Sequence, residues 1–120
     1  MIVVSDTTPL QYLILIQHEH ILPALYGRSS VPLGAGELEA IALAEELRAD
    51  ALLIDDWDGR QEALRRHLNV FGTLRVLADG SDEGIVDLRV AVDRLRRTNF
   101  RANEELFHWL LAREKPKTDR

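Results

Sequence analysis

The chain has 120 residues with 46% apolar and 29% charged, which fits one globular domain, and its net charge of −5 excludes a uniformly basic nucleic-acid binder. It has no cysteine, which excludes disulfides and thiol chemistry and agrees with a cytoplasmic address. The first apolar stretch, Ile2 to Val4, is too short for a signal peptide, and no run approaches the roughly 18 apolar residues of a membrane helix, so no membrane role is expected.

Met1–Ser5 reads as a buried parallel strand: short, β-branched and apolar throughout. Thr7-Thr8-Pro9 starts a helix, with a hydroxyl cap and a proline in the first turn, and Leu10, Leu13, Ile14 and Ile16 give it an apolar face to about Gln17. A short helix follows from Glu19 to Tyr26, stopped by Gly27. Ser29–Pro32 is a brief strand. Glu37 to Arg48 is a helix with Leu38, Ile41, Ala42 and Leu47 as its inner face. Ala51–Ile54 is the second clear strand, Gly59–His67 a helix, and Val70-Phe71 a short strand before Gly72-Thr73. Leu74–Ala78 is helical, and Gly80-Ser-Asp-Glu-Gly84 is a turn. Helices over Ile85–Arg97 and Asn103–Arg113 and a frayed polar tail, Lys115–Arg120, close the chain. Alternating strands and helices predict an α/β fold, a three-layer sandwich around a mostly parallel sheet, with residues 1–120 as a single domain.

Charge is unevenly spread. Residues 37–58 hold eight acids (Glu37, Glu39, Glu45, Glu46, Asp50, Asp55, Asp56, Asp58) against one base, Arg48. Residues 89–101 hold five arginines (Arg89, Arg94, Arg96, Arg97, Arg101) against Asp93 alone. Lysine is missing until Lys115, which excludes a P-loop or an internal Schiff base.

The acids fall where chemistry would need them. Asp6 closes the first strand, Asp55 and Asp56 close the second, and Glu37 opens the helix between them. Open α/β sheets place ligands at the carboxyl ends of their strands. Carboxylates gathered there repel one another unless a cation holds them, and oxygen donors suit Mg²⁺ or Mn²⁺. Two such ions about 3.5–4 Å apart can activate water and stabilise the leaving oxygen in phosphodiester hydrolysis. Thr7 and Thr8 stand where they could hydrogen-bond the acids.

These residues resemble a family. Ile2-Val-Val-Ser-Asp-Thr-Thr-Pro-Leu10 resembles the opening motif of PIN domains, and Leu33-Gly-Ala-Gly-Glu-Leu-Glu-Ala-Ile-Ala-Leu-Ala44 is similar to their central acidic helix. Ala51-Leu-Leu-Ile-Asp-Asp-Trp-Asp-Gly-Arg60 resembles their third acidic motif, and Val70-Phe-Gly-Thr-Leu-Arg-Val-Leu77 the strand and turn that follow. The segment Leu95–Leu106 is similar to a small prokaryotic subgroup. The four motifs stand in the family's order.

The resemblance implies a Mg²⁺- or Mn²⁺-dependent ribonuclease of the VapC type, the toxin of a toxin–antitoxin pair, with RNA as substrate, an antitoxin protein as partner and a homodimeric state. It matches Asp6 to the first metal-binding acid and Glu37 to the second. The third is Asp55 by the subgroup pattern and Asp56 by the wider family pattern. Strand alternation puts these two on opposite faces and favours one of them, Asp55. Asp58 is a candidate outer-sphere acid, and Thr73 matches a polar position lining the family's site. Arg60, Arg65 and Arg66 follow the third motif directly and are candidates for substrate phosphates.

Two positions depart from the pattern. Arg75 stands where the subgroup has Gly. At Val31-Pro32-Leu33 the family's helical segment between strand and acidic helix is absent. Either it is deleted, removing a wall of the cleft and much of the usual dimer surface, or a stretch is missing from the sequence, which the retained acids favour. Such a deletion motivates a second reading, a catalytically weak PIN-like protein-binding module. A phosphoacceptor regulator fits poorly, because the acid order is wrong and the pairing lysine is missing. His18, His20, His67 and His108 show no zinc spacing and read as surface residues. Trp57 is expected at the cleft rim or a partner surface, and Trp109, with Leu106 and Leu110, in the core or an interface.

Overall fold

Four strands pair side by side in the order β2-β1-β3-β4, all parallel. They are β1 (Val3–Asp6), β2 (Ser30–Ala35), β3 (Ala51–Leu53) and β4 (Val70–Phe71). The computed structural model describes residues 2–27, 30–100 and 104–112. Met1, Ser29, Arg101, Asn103 and the tail 115–120 therefore lie outside the described residues. Helices connect and cover the sheet: α1 (Thr7–Leu15), α2 (Ile21–Tyr26), α3 (Glu37–Glu46), α4 (Trp57–Arg65), α5 (Thr73–Asp82), α6 (Leu88–Arg96) and α7 (Glu104–Ala112). The chain is thus α/β with a parallel sheet between two helical layers, as expected.

Side-chain alternation along the central strands builds the two cores. Val3 and Leu53 face a large core with Leu13, Ile21, Leu77 and Leu95 from α1, α2, α5 and α6. Val4, Leu52 and Ile54 face a smaller one with Ala40, Ile41 and Ala44 from α3 and Ala63 from α4. β1 and β3 are buried on both faces, which is why they stand out as apolar runs.

β1 has β2 on one side and β3 on the other. The chain leaves β1 first in one direction and then in the other, so a crevice opens at the carboxyl end of β1, where Asp6 sits. Pro32 and Leu33 are consecutive residues of β2. Ser5 pairs with Pro32 and Asp6 with Ala35, so an irregularity takes up the extra residues and the strand runs on into α3 without an intervening helix.

Several local expectations are corrected. The cap of α1 is Asp6, whose Oδ1 accepts from the Thr7 N–H at 2.8 Å, and not a threonine hydroxyl. The inner face of α3 is Ala40, Ile41 and Ala44, while Leu38 is 70% exposed. Glu37, Ile41 and Ala44 follow i, i+4, i+7 spacing, so turning Glu37 toward the sheet edge buries these two and sends Leu38 outward. α5 continues through the expected turn to Asp82. Gly80 packs inside it, where an added Cβ would lie 3.3 Å from Val86 and 3.6 Å from Ile21. The true stop is Gly84 at φ +74, with the Ile85 N–H bonded to the Gly80 carbonyl at 2.8 Å. Arg75 sits in the first turn of α5, 4.2 Å above the Phe71 ring and 3.2 Å from Asp79, and leaves the turn intact. His18 is buried rather than exposed, because its Nδ1 lies 2.7 Å from the Ile16 carbonyl that ends α1.

Candidate active site

Each acid reaches the sheet edge by a different route. Asp6 ends β1 and is 7% exposed. One of its oxygens caps α1, which fixes the side chain at the crevice. Burial raises its pKa most, the Thr7 N–H lowers it, and the charges of Asp55 and Asp56 raise it further. Both members of the Asp55-Asp56 pair are therefore close enough to act on Asp6.

The pair then diverges, as alternation requires. Asp55 continues the face of Leu53 and turns to α5, where Thr73 holds it with its N–H on Oδ1 at 2.8 Å and its hydroxyl on Oδ2 at 2.6 Å. Thr73 is fully buried, so it orients Asp55 and does not present its hydroxyl to solvent. Asp56 continues the face of Ile54, and its Oδ2 caps α4 by accepting from the Gly59 N–H at 2.9 Å.

Glu37 comes from the first turn of α3 and meets Asp56. Burial raises its pKa most, followed by the Asp56 charge, a hydrogen bond to Asp56, and the charges of Asp6 and Asp58. Two carboxyl groups this close can be held together by a shared proton. A cation between the two carboxylates would serve the same purpose. Asp58 is exposed and reaches the site through its charge on Glu37.

Among the described residues, no three acidic or histidine side chains converge tightly enough to enclose an ion by themselves. Mg²⁺ does not need such a cage, because it keeps waters and takes one or two carboxylates together with substrate phosphate. All the donors are hard oxygens, and the mutual repulsion at Asp6 and Glu37 is what a bound cation relieves. The residues fit a Mg²⁺ or Mn²⁺ ion.

A cleft of about 1210 Å³ begins at Asp55 and Asp56 and runs between α1, α5 and α7. Thr8 and Tyr12 of α1, Arg60 of α4, Arg75 of α5 and Trp109 of α7 line it. The Tyr12 hydroxyl bonds Asn99 at 2.9 Å, and its ring meets Phe100 edge to face at 4.9 Å. Trp109 is 58% exposed, so it contributes to the cleft wall rather than to the core. Trp57 is 72% exposed and is not part of this wall.

The arginines separate by what they touch. Arg60 lines the cleft, and a Cβ on Gly72 would lie 3.0 Å from both its Nη1 and Asp55 Oδ1, so guanidinium and acid flank one glycine. Arg65 pairs with Glu62 at 3.1 Å, and Arg66 joins Glu62 and Glu45 at 2.8 and 2.7 Å. Arg94 bonds the Ile16 carbonyl, Arg96 pairs with Glu104, and Arg97 with Asp93. Tyr12, Asn99 and Phe100 come from distant parts of the chain and carry no local sequence signal of their meeting at the cleft.

A family model described as a PIN domain matches residues 28–115. No curated protein and no solved structure matches the chain significantly.

Proposed function

Because the chain belongs to the PIN-domain family, we propose that it is a divalent-metal-dependent ribonuclease that hydrolyses RNA phosphodiester bonds at the acid edge of its sheet. The fold is of the nuclease type. The observation that carries the reading further is the meeting of Glu37 with Asp56 beside the buried Asp6, three acids from three separate segments. Acids placed together at a cost in repulsion mark a candidate functional site, beyond the helix caps that Asp6 and Asp56 also supply.

Asp6, Glu37 and Asp56 would hold the ion, Asp56 taking the place that the sequence gives to Asp55, which stands beside them at the cleft. When bound, Mg²⁺ or Mn²⁺ supplies a more acidic water and neutralises charge on the phosphate. The chain's own groups do the rest. Thr73 keeps Asp55 in one orientation, Arg60 offers its guanidinium to a phosphate next to that acid, and the aromatic wall gives bases a surface to stack on. Arg65 and Arg66 are engaged by glutamates and contribute less. As a toxin, the protein would be silenced by an antitoxin that blocks this cleft.

The test is cleavage of RNA with Mn²⁺ or Mg²⁺ by the wild-type protein and by Asp6→Asn. A second reading, a protein-binding module with weak catalysis, is favoured by the absence of a tightly closed acid set among the described residues. Tight metal binding together with RNA turnover would remove it.

A further inference from the structure

Gly59 stands in the first turn of α4, a helical position where alanine is intrinsically the better residue. Its backbone needs no left-handed conformation, since the described glycines with positive φ are Gly27 and Gly84. The reason for a glycine is space. A Cβ at this position would stand 2.6 Å from Cδ and from Oε1 of Glu37, and 2.6 Å from Cδ1 of Ile54. The Glu37 carboxyl therefore lies directly on the bare α-carbon. On its other side Gly59 donates its N–H to Asp56 Oδ2 at 2.9 Å.

We propose that Gly59 is a positioning residue for the acid pair: its missing side chain is the seat of the Glu37 carboxyl, its N–H fixes Asp56, and together they set how closely the two acids approach. Any side chain at residue 59 drives Glu37 off α4 and opens the pair. The seat rests on geometry alone, whereas its bearing on metal binding and RNA cleavage rests on the ribonuclease reading.

Both clashing neighbours are the far ends of side chains, and they can be removed separately. Ile54 Cδ1 is the end of a flexible side chain, and Ile54→Val removes it without touching the acids. The experiment compares Gly59→Ala in two metal-free backgrounds, Ile54→Val and Ile54→Val with Glu37→Ala. In the first the new methyl meets the Glu37 carboxyl, and the shift in thermal midpoint includes the effect of displacing it. In the second that carboxyl is gone, alanine's helix preference remains, and the midpoint shift differs from that in the first. Equal shifts in both backgrounds overturn the proposal, whatever the protein's activity.

The second readout is Mn²⁺ affinity by calorimetry. Gly59→Ala in the Ile54→Val background weakens binding at least tenfold. Adding Glu37→Asp, one methylene shorter, restores part of it. Affinity unchanged by Gly59→Ala in a protein that does bind Mn²⁺ also overturns the proposal. If the wild type neither binds Mn²⁺ nor cleaves RNA, the ribonuclease reading fails, and the melting comparison still decides whether Gly59 seats Glu37.

Discussion

Thr73 grips Asp55 with two hydrogen bonds, one from its backbone N–H at 2.8 Å and one from its hydroxyl at 2.6 Å. The acid that ends β3 is thereby tied to the start of α5, across the end of β4. Thr73→Val keeps the shape and the backbone bond but removes the hydroxyl from a fully buried position. It is expected to cost about 1–3 kcal/mol, because an acceptor is left short of its partner. Thr73→Ser should retain most of that stability. Urea melts of both variants check this, and a greater loss in Thr73→Ser than in Thr73→Val would show that the methyl, not the hydroxyl, matters.

The raised acids predict a pH trend in the metal-free protein. Asp6 and Glu37 both titrate above their ordinary values of 3.8 and 4.5, chiefly through burial. The folded chain therefore holds their protons longer than the unfolded chain does. Their contribution to stability is fully present below the unfolded values and is lost as pH rises through the folded ones. Glu37→Gln should flatten this slope and raise the midpoint at pH 7 by on the order of a few degrees. An unchanged pH slope in Glu37→Gln would refute the electrostatic account. Mn²⁺ should stabilise the wild type at pH 7 in a concentration-dependent way, and Glu37→Gln far less.

Much of this arrangement was legible in the sequence. The strands β1 and β3 stood out because burial on both faces leaves unbroken apolar runs, and each run ended in an acid. Hydrophobicity points to Leu38 for the inner face of α3, whereas the face is set by where Glu37 points. Alternation gives Asp55 and Asp56 different partners, Thr73 and Gly59, but both line the cleft and both act on Asp6, so the expectation that one alone enters the site does not hold. The cleft was not legible. Tyr12 and Asn99 meet across most of the chain, and no local pattern announces such a contact.

The arginines near the third acidic motif should differ sharply in function. Arg60 lines the cleft beside Asp55, while Arg65 and Arg66 are held by Glu62 and Glu45 on the surface. Arg60→Ala is expected to weaken RNA binding by roughly 10-fold or more, a loss of about 1.4 kcal/mol. Arg65→Ala should change it less than about 3-fold, since an exposed ion pair contributes little. Filter binding at fixed salt separates them, and the reverse ranking would place the substrate on the outer face of α4.

One stability change lies far from the acids. Arg48 follows the end of α3 with φ +51, and the neighbouring Ala49 N–H bonds back to the Ala44 carbonyl at 2.9 Å. This is the helix-ending turn in which glycine is preferred, and an arginine there carries backbone strain. Arg48→Gly should stabilise the protein by roughly 1 kcal/mol. Chemical denaturation measures it, and destabilisation would show that the arginine side chain contributes more than the strain costs.

The central claim is that Asp6 and its neighbours form a metal-dependent ribonuclease site. The most direct measurement is RNA hydrolysis with Mn²⁺ or Mg²⁺ by the wild type and by Asp6→Asn, a change that preserves the cap of α1. The expected result is cleavage by the wild type, abolished by a chelator, and a loss of about 100-fold or more in the variant. Equal cleavage by both proteins, or cleavage that survives the chelator, would contradict it.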